Sequence, residues 1–359
     1  MLKNTLLGTT GLASYALLSS CSSFDNYFFD DRYSLDDEVI IIGGGISGLF
    51  LAYKLRNKKT NFRLFEASNY FGGRIKSQDG MDYGASCLAY KDKIAQQLIK
   101  DLSLQTKTLD SNFVYLPEGM QALTDILVER TQGLIPYSSF RLRWKLIEVQ
   151  KYKSGFDLIF QHPAGQKRFN CKKIALAIPP TQWKSVKGLL ALPEMAWANQ
   201  WLESLEVENT VKLVLPISSL DSPVNDRLVT ASKLSSSPYL NVHHESFNIR
   251  QILKKNKSRT TLEIDIKYPS GAHVSAETLY AVVKKQMHIN YTFSKLPAEQ
   301  YFDWNQVDYI KGSSFKNQMA VPTYTNPHFQ ILGDFMGTKP KYNIESALQA
   351  AKEASELLF

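Results

Sequence analysis

After Glu38 the apolar residues of this chain fall into short runs whose spacing switches between strand and helix periods. Val39-Ile40-Ile41-Ile42 is an unbroken β-branched run, the pattern of a parallel strand covered on both faces. Leu49, Ala52, Tyr53 and Leu55 then mark a helix reaching Asn57, and Phe62-Arg63-Leu64-Phe65 a second strand. Loose alternation through Phe140, Leu142, Leu146 and Val149 predicts another strand, as do the runs 156–160, 173–178, 207–215, 261–268 and 329–334. Helical spacing returns at Leu123, Ile126 and Leu127, over 276–287, and at Ile344, Ala347, Leu348, Ala351 and Ala354. Strands and helices alternating in this way predict an α/β fold.

The first strand runs straight into Gly43-Gly44-Gly45-Ile46-Ser47-Gly48. Each glycine of the GxGxxG spacing has a physical reason. Gly43 permits a tight turn, Gly45 lets backbone approach a pyrophosphate, and Gly48 lets helix and strand pack closely. Ile46 and Ser47 open the helix, whose N–H groups and partial positive charge would face the phosphates. The second strand ends at Glu66-Ala67, about 20 residues beyond the glycines, where a carboxylate accepts hydrogen bonds from an adenosine ribose. Strand, glycines, helix, strand and acid in this order predict a dinucleotide site.

Further motifs narrow the cofactor. Phe71-Gly72-Gly73-Arg74 follows within a few residues, then Met81-Asp82-Tyr83-Gly84-Ala85. Leu116-Pro117-Glu118-Gly119-Met120, Pro179-Pro180, Trp304 ahead of Gly312, and Gly333-Asp334 before the last helix come after. Through these segments the chain after residue 38 resembles the flavin-containing amine oxidase superfamily. The resemblance implies a Rossmann-like FAD-binding domain (38–87, 113–190 and 306–359) and a discontinuous, smaller α+β substrate domain (88–112 and 191–305). It implies FAD, held non-covalently because no cysteine stands at the family's attachment position. It puts Gly72, Gly73 and Arg74 along the cofactor, with Arg74 near the phosphates, and Gly84 and Ala85 near the isoalloxazine. The Leu146 backbone is implied to contact adenine, Gly333 and Asp334 the ribityl or pyrophosphate, and Asn343 and Ile344 to open the helix aimed at the flavin. Trp304, Phe315 and Tyr342 are implied to face the substrate as a partial aromatic cage.

Thr210 to Leu215 resembles the strand bearing the family's lysine, which holds a water near flavin N5, and so nominates Lys212 as the catalytic residue. The other reading of Lys212 is an edge-strand lysine facing solvent. The implied activity is hydride transfer from an amine or similar C–H donor to flavin N5, with oxygen or another acceptor taking the electrons. A renalase-like, desaturase-like or mutase-like flavoenzyme of the same fold is the alternative, as is a catalytically degenerate flavin-binding lipoprotein.

Composition limits the remaining classes. The 359 residues carry a net charge of +8, which permits anionic partners, yet no stacking platform or recognition motif points to nucleic acid. The basic stretch Arg250 to Arg259 reads as a solvated loop, with attraction to an anionic membrane as the sharper alternative. Three cysteines and 6 scattered histidines offer no zinc spacing, so no metal site is expected. Residues 1–20 form an apolar stretch with Lys3 and no acid, closing on Leu18-Ser19-Ser20-Cys21. That reads as a signal peptide with a lipobox, Cys21 being the lipidated residue, followed by a polar tether over 21–37. An uncleaved apolar helix with Cys21 an ordinary thiol is the other reading. The expected location is the cell envelope, anchored in the membrane and facing the periplasm or exterior.

Overall fold

Strand β1 (Val39–Ile42) is buried along its whole length, as its unbroken apolar run requires. The computed structural model describes residues 39–132, 138–217, 248–255, 260–269, 301–309, 315–317, 321, 326–336 and 343–358. The leader and tether with Cys21, the helix expected over 276–287, and Tyr342 lie outside the described residues.

From β1 the chain enters helix α1 (Ile46–Asn57), returns in β2 (Phe62–Phe65), and passes helices α2 (Lys93–Asp101) and α3 (Gln121–Gln132) to reach β3 (Ser138–Arg141). A three-stranded antiparallel meander follows, made of β4 (Lys145–Tyr152), β5 (Gly155–His162) and β6 (Gly165–Cys171). β7 (Lys173–Leu176) then rejoins the first sheet. A second sheet is built from β8 (Leu205–Ile217), β9 (Asn248–Lys255), β10 (Thr260–Pro269) and β11 (Tyr301–Asp303), with β12 (Phe315–Asn317) paired to the start of β8. β13 (Phe329–Ile331) and helix α4 (Ile344–Leu357) close the described chain.

The first sheet is parallel, in the order β13-β7-β1-β2-β3. Its two faces are covered by different means. Val39, Ile41, Phe62 and Leu64 bury one face under α1, α3 and α4 through Leu49, Leu55, Leu123, Leu127, Leu348 and Ala351. On the other face the Phe65 ring stacks on Phe160 of the meander, with centroids 4.2 Å apart, and meets Trp144 edge-on. The second sheet is antiparallel, in the order β9-β10-β8-β11.

Several expectations are corrected. The single strand expected through Phe140 and Val149 is two strands in different sheets, broken at Arg143, whose φ is 65°. Residues 250–255 are not a loop: they belong to β9, at the edge of the second sheet. The strands expected to reach 178 and 334 stop at Leu176 and Ile331. β6 went unforeseen, because its sequence Gly165–Cys171 is almost wholly polar and exposed.

Candidate cofactor site

The glycine turn behaves as its spacing demands. Gly43 has φ +109°, and a Cβ there would sit 2.4 Å from the Ala177 carbonyl oxygen. A Cβ on Gly48 would lie 2.0 Å from the Gly43 carbonyl oxygen, so only glycine lets α1 close onto the turn. Gly45 is different: a Cβ there meets nothing within 4 Å. It is the N-cap of α1. The helix therefore begins beside open space, with no side-chain cap and no acid of its own first turn at its positive end. Ile46 and Ser47 form its first turn as expected.

The second glycine motif folds directly onto the first. The Gly72 N–H donates to the Gly44 carbonyl at 2.8 Å, Gly45 and Gly72 form a parallel bridge, and Gly73 (φ +59°) passes over Gly45 Cα. Arg74 leaves this crossing to meet Asp334 at 2.5 Å, joining it to the end of β13. Asp334 is buried and the Arg74 side chain 41% exposed. Gly333 is glycine because the Phe335 ring occupies its Cβ position.

Glu66 holds the turn from below. One of its oxygens accepts the Gly44 N–H at 2.6 Å and the other the Ser68 N–H at 2.7 Å. A carboxylate has about four acceptor positions, so capacity for a ribose hydroxyl is left. Ala67 beside it is half-buried. The nearby Tyr70 hydroxyl donates to the Gly73 carbonyl at 3.1 Å, and burial, then the Glu66 charge, pushes its pKa up to about 12. Lys76 lies over the rings of Tyr70 and Phe302 (5.4 and 4.6 Å to the centroids), and burial lowers its pKa.

Gly84, Ala85, Lys212 and Trp304 form a second, adjoining group, whereas among the described residues no contact brings Phe315, Leu146, Asn343 or Ile344 into it. Gly84 is pressed against the Arg74 carbonyl, where a Cβ would come within 1.9 Å, and the Ala85 N–H donates to that same carbonyl at 3.1 Å. The Gly84 carbonyl accepts from Lys212 Nζ at 2.8 Å, so residues 128 positions apart in sequence meet. Lys212 is 1% exposed on an interior strand, which overturns the reading of an outward-facing edge lysine. Its Nζ also touches Ser86 Oγ, Glu263 Oε2 at 3.2 Å and Asp265 Oδ1 at 3.3 Å. Trp304 is buried and its indole N–H donates to the Tyr83 carbonyl at 2.7 Å, which fixes the ring beside the same segment. Phe315 lies in β12, Leu146 is buried in β4, and Asn343 caps α4, its Oδ1 accepting the Ser346 N–H at 3.0 Å two residues beyond Ile344.

Sequence reasoning missed Ser86, Glu263, Asp265 and the capping role of Asp82. Asp82 Oδ1 accepts from Ser77 and from the Met120 N–H at 2.7 Å, and Ser77 Oγ accepts the Gln121 N–H at 2.9 Å, so the pair caps α3. One signal was available: Glu263 and Asp265 alternate with Ile264 and Ile266 and share a face of their strand. That this face meets Lys212 depends on the β8–β10 register, in which Lys212 stands opposite Asp265.

Among the described residues no cluster of His, Cys, Asp or Glu is arranged to hold a metal ion, and no helix is long and apolar enough to cross a membrane.

Residues 41–102 match the model of the NAD(P)-binding Rossmann-like domain. The chain is 38% identical over 82 residues to mitochondrial protoporphyrinogen oxidase of Nicotiana tabacum, and 34% identical over 119 residues to achacin of Lissachatina fulica. Those matches span 16% and 21% of the relatives' own length. Among solved structures, cyclohexylamine oxidase from Brevibacterium oxydans superposes with a TM-score of 0.66 at 13% identity, covering 89% of this chain and 98% of that one. Putrescine oxidase bound to putrescine superposes with a TM-score of 0.64 at 12% identity, covering 90% and 98%. The chain thus has a Rossmann-like α/β fold of the kind seen in these two oxidases.

Proposed function

We propose that the chain is an FAD-dependent oxidoreductase that takes a hydride from an amine or similar C–H donor. The observation that carries this reading is the crossing of Gly72-Gly73 over the Gly43–Gly48 turn, with Gly45 facing open space at an uncapped helix start. Gly45 and the first turn of α1 would hold the pyrophosphate, where backbone amides and the helix dipole favour an anion. Arg74 would supply its cation there, and Glu66 would accept from the ribose. Gly84, Ala85, Asn343 and Ile344 would border the redox ring, and the second sheet with Trp304 and Phe315 the donor. FAD, when bound, supplies the two-electron hydride-accepting centre; the protein supplies position and electrostatics. Non-covalent binding is supported by the sequence, which has no cysteine at the position where some amine oxidase-like flavoproteins attach FAD.

Amine donors are favoured by the whole-chain likeness in fold to cyclohexylamine oxidase and putrescine oxidase. A non-amine donor is the second reading, favoured by the 38% identity over 82 residues to protoporphyrinogen oxidase. Anaerobic titration of the FAD-loaded protein with a panel of alkylamines and diamines tests the first. Bleaching of the flavin band by an amine supports it; no bleaching by any amine, with bleaching by a non-amine C–H donor, selects the second. Oxygen or another acceptor then takes the electrons. We further propose that Cys21 is lipidated and anchors the protein at the envelope membrane, on the strength of Leu18-Ser19-Ser20-Cys21 after the apolar stretch.

A further inference from the structure

We infer that Glu263 is the positioning residue for Lys212, and that the two form a charge-compensated clamp on residues 82–86 instead of a lone cation directed at the cofactor. An ammonium group has three hydrogens to donate. Lys212 Nζ has the Gly84 carbonyl at 2.8 Å, Ser86 Oγ in contact, Glu263 Oε2 at 3.2 Å and Asp265 Oδ1 at 3.3 Å. The ammonium thus donates to the Gly84 carbonyl and Ser86 Oγ, while the Glu263 and Asp265 carboxylates meet its charge as ion-pair partners. Burying such a charge is costly unless it is paired and hydrogen-bonded. Glu263, itself 1% exposed, supplies the pairing.

Glu263 is fixed in turn. Its Oε1 accepts the Asp82 N–H at 3.1 Å, and the Asp82 carboxylate caps α3. Two neighbouring strands of the second sheet thus grip one short segment, β10 at Asp82 through Glu263 and β8 at Gly84 and Ser86 through Lys212. One cation faces two carboxylates, so the cluster as a whole is not positive. Its effect on a bound cofactor is to hold the Gly84–Ser86 backbone in place without presenting an uncompensated cation.

The test uses the full chain as wild type, Lys212→Met, Glu263→Gln and the double variant. Two quantities are read: the reduction potential of bound flavin against a reference dye, and the thermal midpoint without FAD. The potential readout rests on the FAD reading above; the midpoint does not. Lys212→Met leaves two carboxylates unopposed and should lower the reduced-to-oxidised ratio about tenfold, or about 30 mV for a two-electron couple. Glu263→Gln should raise it by a similar factor, and the double variant should return to within about threefold of wild type. Thermal midpoints should fall in each single variant and fall less than additively in the double. A potential that moves with Lys212→Met but not with Glu263→Gln would mean a lone cation and overturn the inference; so would midpoints that fall while both potentials stay put. If Glu263→Gln does not fold, Asp265→Asn, at a partly exposed carboxylate, must raise the ratio instead. If no variant or wild type takes up FAD, the cofactor reading fails, and additive midpoint losses would then overturn the clamp separately.

Discussion

Two glycines three positions apart separate binding from folding. Gly48 has no room for a Cβ against the Gly43 carbonyl, so Gly48→Ala should cost about 1–3 kcal/mol in denaturant unfolding, with or without FAD. Gly45 has open space and an extended backbone (φ −72°, ψ 179°) that a β-branched residue accepts. Gly45→Val should therefore keep the apo protein within about 1 kcal/mol of wild type and abolish cofactor binding. Tyr70 gives a pH test. Its folded pKa of about 12 lies above the ordinary value of 10.0, so its contribution to stability is whole below about pH 10 and is lost as pH rises through about 12. Tyr70→Phe should flatten the alkaline fall of the denaturation midpoint in that window; an unchanged slope would show that Tyr70 does not titrate late. Most of these positions were legible in the sequence, because a glycine turn and its acid are local patterns set by backbone geometry. Glu263 and Ser86 were not, since what singles them out is a lysine far along the chain.

At the scale of elements, side chains from distant segments hold the helix starts that surround the site. Asp82 and Ser77 cap α3, Asn343 caps α4, and Glu345 from the first turn of α4 accepts the Ile94 and Ala95 N–H groups at 3.0 and 2.9 Å, capping α2. Asp82→Ala would leave the buried Met120 N–H without its acceptor and should cost about 1–3 kcal/mol, whereas Asn343→Ala should cost about 1 kcal/mol. Thermal unfolding of the two variants checks the order; equal losses would contradict the burial argument. The β1–α1–β2 unit and α4 could be read from periodicity alone, since an apolar stripe or run is enough to bury them. β6 and β9 could not, because their pairing comes from neighbouring strands and their own residues are largely polar.

For the whole molecule, one short segment, residues 82–86, ties the antiparallel sheet to the Arg74 backbone beside the glycine crossing. The parallel sheet brings the glycine turn and Arg74; the antiparallel sheet brings Lys212 and its carboxylates. The order of motifs along the chain made this division legible, while the register that aligns Lys212 with Asp265 did not exist until the strands paired. The lipid anchor is a claim at this scale too: mass spectrometry of protein from its native host should find a mature N-terminus at Cys21 carrying lipid, and an intact Met1 on soluble protein would end that proposal. The central claim is that the crossing of the two glycine motifs binds FAD. Flavin-to-protein stoichiometry after loading with FAD and exhaustive dialysis measures it directly, in wild type and in folded Gly45→Val. The expected result is one flavin per wild-type chain and essentially none in the variant; equal flavin in both, or none in wild type, would contradict it.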